Sequence, residues 1–111
     1  MKIIITGSGG EGIKFLAKKL SDLLLEKNYE VSLMISYDAA MEGGEIYATL
    51  VYSKEKIENP LVEKADILVE LSKVKQEFEA EEKITLDQIS QDSSKRLNEN
   101  VLDFLVEKLN L

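Results

Sequence analysis

The residues best suited to chemistry form a glycine-rich turn near the start of the chain, Gly7-Ser8-Gly9-Gly10-Glu11-Gly12. Glycines let backbone N–H groups approach a ligand closely, and the unpaired donors at the start of a following helix add partial positive charge. A phosphate or another anionic group would fit such a turn. Gly7, Gly9 and Gly12 match the spacing G-x-G-x-x-G. A tight strand-to-helix turn uses glycine for steric reasons too, so a ligand site and a purely structural turn are both open.

Two nucleotide-binding versions of this turn can be weighed against the residues around it. A Walker A loop needs Lys-Ser/Thr directly after its second glycine, whereas Ile13-Lys14-Phe15 follows Gly12. A dinucleotide-binding turn needs an acidic residue near the end of the second strand, to hold the ribose. Asp38 is the nearby candidate, and it comes late for that role. Phosphoryl transfer and a stand-alone dehydrogenase are therefore disfavoured.

A second group of candidate residues runs from Tyr37 to Glu45 and contains the pair Gly43-Gly44. Paired glycines before a strand permit a tight turn and a close backbone approach. We expect this loop and the first turn to emerge near the same edge of the sheet and to frame a crevice. Tyr37, Glu42, Gly43 and Gly44 would then join the first turn as ligand-binding residues. The loop carboxylates could act as acids or bases if desolvated, but an exposed surface loop explains the same residues.

Hydrophobic patterning predicts the elements that position these turns. Ile3–Ile5 form a buried strand, and an amphipathic helix should run from about Glu11 to Lys27, with Asn28 left-handed at its end. The further predicted strands are Glu30–Ser36, Ile46–Tyr52 and Asp66–Leu71. The alternation of strands and helices predicts a single α/β domain over residues 1–111. We expect three layers, with a mostly parallel sheet of four or five strands and helices on both faces, as in Rossmann-like folds.

The second half of the chain has weaker patterns. Pro60 suits the first turn of a short helix through Lys64, and Lys73–Glu82 has apolar residues at helical spacing. Lys83–Ile89 could be a short strand or a loop. An apolar stripe predicts a final helix, for which Asp92, Ser93 or Ser94 could supply the N-cap.

Composition excludes several classes of function. The formal net charge of −7 argues against nucleic acid as a partner, because phosphates are neutralised by basic surfaces. The chain has no cysteine and no histidine, which removes a thiolate nucleophile, a cysteine-ligated cluster and the commonest zinc ligand. We predict no catalytic residue and no metal site. No apolar run reaches membrane-spanning length, so we expect a cytoplasmic protein that does not enter a membrane.

Several ordered blocks resemble one family, the gamma subunits or domains of the 2-oxoacid:ferredoxin oxidoreductases, whose substrates include pyruvate, ketoisovalerate and indolepyruvate. That family carries G-x-G-G-Q-G after its first strand and an R-G-G turn before a later strand. It continues with I-x-x-P and a strand of the form A-D-[IV]-L-[VI]-A-L. The corresponding blocks here are Gly7–Gly12, Glu42-Gly43-Gly44, Ile57–Pro60 and Ala65–Leu71. Together they cover roughly residues 1 to 71.

Two departures affect what the resemblance implies. Glu11 stands where the family has glutamine, and Glu42 stands where it has arginine. An anion at the second position would repel a phosphate or carboxylate. The chain is also shorter than typical gamma domains. In a family complex, thiamine diphosphate, iron–sulfur clusters and coenzyme A serve the reaction, and we expect this chain to hold none of them alone.

The resemblance implies a small gamma-like subunit or paralogue that assists coenzyme A-dependent oxidative decarboxylation of a 2-oxoacid on partner chains. Its partners would be other oxidoreductase subunits, or further copies of itself. Two alternatives stay open: a stand-alone module that binds a nucleotide or coenzyme A, and a non-catalytic interaction protein in which both turns are structural.

Overall fold

The structure, a computed structural model, describes residues 1–37, 44–60 and 63–111. In these ranges one α-helix follows the first strand, four more strands come next and a second α-helix comes last, with short 3₁₀ turns at Gly9–Glu11 and Leu86–Gln88. The strands and helices are β1 (Lys2–Ser8), α1 (Ile13–Glu26), β2 (Glu30–Tyr37), β3 (Glu45–Ser53), β4 (Lys64–Glu70), β5 (Glu79–Thr85) and α2 (Leu97–Lys108).

The five strands form one sheet in the order β2-β3-β1-β4-β5. β4 is parallel to β1 and to β5, whereas β3 is antiparallel to both of its neighbours, β1 and β2. β3 runs against the others because the connection from β2 is too short for a crossover helix, and a short connection joins antiparallel strands. The predicted α/β class and the mostly parallel, Rossmann-like sheet are confirmed.

Alternate residues of each strand face opposite sides of the sheet, which separates two apolar clusters. Ile3 and Ile5 of β1 belong to the main cluster, where they pack with buried leucines and a valine of both helices. α1 and α2 thus lie together on one face in the described ranges, where the sequence predicted helices on both faces. Ile4, between the two isoleucines, belongs instead to a small cluster with Ala65 and Leu68 on the other face, where Phe78 packs against them.

The helix boundaries differ from the predicted ones for local reasons. α1 begins at Ile13 and not at Glu11, because the 3₁₀ turn comes first and Gly12 takes a left-handed φ of 72°. Asn28 has a φ of 65°, as predicted. α2 begins only at Leu97, because Asp92 accepts hydrogen bonds from both the backbone N–H and the hydroxyl of Ser94 and closes a turn upstream.

The segment after β4 contains the main error of the sequence prediction. The helix predicted over Lys73–Glu82 is absent, and the chain instead enters strand β5 at Glu79. Pairing along β4 supplies backbone hydrogen bonds that the local pattern does not reveal, so tertiary context overrides helical spacing. The short helix predicted from Pro60 falls partly on residues 61–62, outside the described residues, and Lys64 already belongs to β4.

Candidate functional site

The glycine-rich turn connects the end of β1 to the start of α1, and the side chain of Glu11 folds back onto it. Oxygen Oε1 of Glu11 accepts hydrogen bonds from the backbone N–H of Ser8 at 2.7 Å and from the Ser8 hydroxyl at 3.1 Å. The hydroxyl of Ser72, which follows β4, donates to the same oxygen at 2.7 Å. One carboxylate oxygen therefore closes the turn and connects it to the neighbouring parallel strand.

These contacts use amides that an anionic ligand would need. The Ser8 amide is bonded to Glu11, and the Gly9 amide donates to the carbonyl oxygen of Gly44 at 3.1 Å. A phosphate placed at Ser8 would have to displace the Glu11 carboxylate and would be repelled by its charge. The turn as it stands is a self-bonded strand-to-helix connection.

Packing within the chain explains why glycine is required at two of the three motif positions, Gly7 and Gly12. A Cβ on Gly7 would lie 2.4 Å from Cδ1 of Ile13, so a side chain there would collide with α1. Gly12 combines its positive φ with a close neighbour, since a Cβ would lie 2.6 Å from Nδ2 of Asn98 in α2. Gly9 differs from both, because the nearest atom to its Cβ position is 3.9 Å away, at the Gly44 carbonyl oxygen.

The two glycine turns meet, as the sequence predicted, through the bond between Gly9 and Gly44. Tyr37 ends β2 with 55% of its surface exposed. Glu42 and Gly43, which were also predicted to bind a ligand, lie outside the described residues. Whether any of the predicted turn residues binds a ligand stays a prediction.

A cleft of about 670 Å³ lies beside the turns, on the sheet face opposite the helices. It opens at the carboxyl ends of the parallel strands β1 and β4, where open α/β sheets place their ligands. Its lining comprises Thr6, Glu45, Leu68, Glu70, residues 73–78 and Lys83. The Thr6 hydroxyl is buried and, within the described ranges, has no hydrogen-bond partner.

Glu45 organises one wall of this cleft. Its carboxylate accepts a hydrogen bond from the Tyr47 hydroxyl and another from the backbone N–H of Lys75 at 2.7 Å. The Tyr47 ring meets Phe78 edge to face with ring centres 5.4 Å apart. Glu45 and Tyr47 thus anchor residues 73–78 over the sheet, so the carboxylate predicted as a possible acid or base has a structural role here.

On the opposite wall, Glu70 forms an ion pair with Lys83 at 3.2 Å. The cleft therefore carries both signs of charge beside an apolar floor, an arrangement suited to a polar ligand or a polar segment of a partner.

Sequence reasoning overlooked Thr6 and Phe78 as part of a site. Thr6 directly precedes the first glycine of the motif, so its position at the end of a buried strand was an available signal. Phe78 gave no such signal, because its segment has helical spacing. Within residues 1–37, 44–60 and 63–111, no group of three or more acidic side chains is arranged to hold a metal ion. No helix in those ranges is long and apolar enough to cross a membrane.

Comparison with known families agrees with the resemblance in the glycine turns. The family model described as pyruvate ferredoxin/flavodoxin oxidoreductase matches residues 2–100 of the 111. No curated protein matches the chain. The match spans the glycine turns, every strand of the sheet and the start of α2. The chain therefore belongs to the pyruvate ferredoxin/flavodoxin oxidoreductase family.

Proposed function

We propose that this chain is a small gamma-like subunit of a 2-oxoacid:ferredoxin oxidoreductase and works in the cytoplasm. The coenzyme A-dependent oxidative decarboxylation of the 2-oxoacid takes place on partner chains, which bind thiamine diphosphate and the iron–sulfur clusters. The family match over residues 2–100 supports a role in such an enzyme. The auxiliary character rests on the geometry of the glycine-rich turn.

The observation that carries the proposal is the threefold hydrogen bonding of Glu11 through Oε1 alone. A glutamine side chain has an equivalent carbonyl oxygen, so the residue usual in the family could make the same contacts. Glu11 therefore preserves the shape of the family's turn while placing a negative charge where an anion would bind. This combination fits a subunit that keeps the fold for assembly and leaves anionic ligands to other chains.

The test is affinity purification of the tagged full chain from its native host at its native level of expression. We expect thiamine-binding and iron–sulfur subunits to co-purify in fixed stoichiometry, and the complex to reduce a viologen dye when given a 2-oxoacid and coenzyme A. Glu11→Ala, which removes all three hydrogen bonds, should lower the yield of complex, whereas Glu11→Gln should retain it. Recovery of the wild-type chain without those subunits would contradict the proposal.

A second candidate is a free-standing module that binds a nucleotide or coenzyme A, and the cleft with its unpartnered Thr6 hydroxyl favours it. A ligand that binds only the folded state raises the melting temperature. We would screen the purified chain with coenzyme A, NAD and ATP. A rise that Thr6→Val reduces would support this candidate, and no rise with any of the three would exclude it for these ligands.

A further inference from the structure

The two edges of the sheet have opposite character. Strand β5 forms one edge, and four of its seven residues are charged: Glu79, Glu81, Glu82 and Lys83. Strand β2 forms the other edge, and from Val31 to Tyr37 it carries no charged residue. Charged side chains on an edge strand oppose pairing with another chain, whereas a long uncharged edge is a template for it. β5 is thus protected against strand addition and β2 is not.

Within the described ranges, strand pairing leaves the outer side of β2 unoccupied. Each residue from Glu30 to Tyr37 has its strand partner on β3, on the inner side, and no described strand pairs with the outer side. Met34 is 48% exposed and Tyr37 is 55% exposed, which makes β2 the one described strand with two large exposed apolar side chains in its span. Exposed apolar surface together with free backbone donors and acceptors is typical of a strand-addition interface.

We propose that β2 is a homodimer interface, at which the β2 strands of two copies pair antiparallel about a two-fold axis at Leu33. The pairing would join two five-stranded sheets into one continuous sheet. A two-fold contact of this kind uses the same surface on both copies, so that surface must be self-complementary. β2 meets that requirement, because its residues from Val31 to Tyr37 are uncharged and can face the same residues of a second copy.

The sequence of β2 fits a register centred on Leu33. Centred on Leu33, the pairing sets Val31 opposite Ile35 and Ser32 opposite Met34, and it sets Glu30 opposite Ser36. Seven residues of each strand then pair, and no like charges face each other.

Apolar continuity also favours a second copy as the occupant. Val31, Leu33 and Ile35 are partly buried and pack against the main apolar cluster from its edge. In the Leu33-centred register these residues of one copy lie opposite the same three of the other. The apolar stripe therefore continues across the axis. Two chains of net charge −7 repel each other elsewhere on their surfaces, so an uncharged edge strand is a favourable place for two copies to meet.

The first test measures the molar mass of the full chain by light scattering over a concentration series. We expect a dimer of twice 12.5 kDa. Ser32→Lys should raise its dissociation constant at least tenfold, since it places two lysines diagonally across the axis. Ser93→Lys makes the same change at an exposed site outside β2 and should leave the dimer intact. A wild-type chain that is monomeric throughout overturns the proposal and leaves β2 for a strand of another protein, and so does a dimer that Ser32→Lys does not weaken.

The second test reads the register directly, and the absence of native cysteine makes it unambiguous. Ser32→Cys and Met34→Cys chains are oxidised separately and as a mixture. Directly opposed residues approach closely enough for a disulfide, whereas diagonal ones are too far apart. The proposal requires a cross-linked dimer in the mixture and little in either chain alone. Equal cross-linking in all three samples, or none in any, contradicts it. Neither test depends on oxidoreductase partners, so the outcome is independent of the proposed function.

Discussion

At the scale of single residues, Glu11 determines how the glycine-rich turn is used. The sequence identifies the turn correctly, and it shows that an acid replaces the family's glutamine. Only the folded chain shows that one oxygen of this acid bonds Ser8 twice and Ser72 once. Ser72 lies 61 positions away along the chain, so no local pattern could have predicted that contact. The substitution keeps the acceptor of the turn and changes its charge.

Replacement of Glu11 tests this role. Glu11→Gln keeps an oxygen acceptor, so the free energy of unfolding should change by no more than about 0.5 kcal/mol. Glu11→Ala leaves the Ser8 amide and Ser72 without their acceptor and should cost about 2 kcal/mol. Urea unfolding of both variants measures the two values. Equal losses for the two would show that the charge, and not the acceptor, is what stabilises the turn.

The glycines of the motif should differ in their tolerance of a side chain. Gly12→Ala imposes a left-handed φ on an L-residue and pushes against Asn98, so we expect a loss of about 1–2 kcal/mol. Gly9→Ala is the matched control. Its φ lies outside the left-handed region and its Cβ position is open, so stability should change by less than about 1 kcal/mol. Chemical unfolding measures the stability of both variants. A larger loss for Gly9→Ala than for Gly12→Ala would contradict the packing argument.

At the scale of elements, the start of α2 depends on the turn that precedes it. The side-chain oxygen of buried Asn100 accepts from the backbone N–H of Asp92 at 3.1 Å, and its amide donates to the side chain of Gln91 at 3.2 Å. Asn100 thus ties the turn to the helix. The predicted capping residues lie in this turn and not at the helix start, and two of them, Asp92 and Ser94, bond each other there.

The Asp92 turn should respond to acid. Hydrogen bonds from the hydroxyl and the backbone N–H of Ser94 hold the pKa of Asp92 below its ordinary value of 3.8. A lowered folded-state pKa contributes stability above pH 3.8, and that stability is lost as the pH falls through the folded pKa. Asp92→Asn keeps an acceptor but does not titrate. The stability advantage of the wild type over this variant should therefore shrink in that acidic window.

Unfolding of both proteins followed by circular dichroism over a pH series provides the measurement. Because the variant retains the turn, other carboxylates titrate equally in the two proteins and cancel in the difference. A difference that stays constant from neutral pH to below the folded pKa would show that Asp92 contributes nothing to the acid response.

At the scale of the whole molecule, one apolar cluster joins both helices to one sheet face. Leu105 of α2 and Leu20 of α1 are each fully buried in it, together with Ile3 and Ile5 of β1. These residues come from both ends of the chain. The domain should therefore unfold as one cooperative unit, with α2 as an integral part of the core.

Truncation of a single leucine tests whether α2 is an integral part of the core. Leu105→Ala removes a fully buried side chain and should cost about 2–5 kcal/mol. Leu25→Ala removes the same side chain from a 54% exposed position on α1 and should change stability by only about 0.5 kcal/mol. Thermal unfolding followed by calorimetry compares them. A small loss at Leu105 would mean that α2 is peripheral.

The sequence by itself determined the elements whose evidence is local: the buried strand at Ile3–Ile5, the amphipathic α1, the left-handed Asn28 and the glycine turn. Burial imposes a periodicity that can be read along the chain, and a left-handed residue favours asparagine or glycine. Tertiary structure alone decided that residues 79–85 are a strand, that Glu11 occupies the Ser8 amide, and that β2, uncharged from Val31 to Tyr37, is an edge of the sheet. Each of these depends on partners far away in sequence, whose positions are fixed only when the sheet assembles.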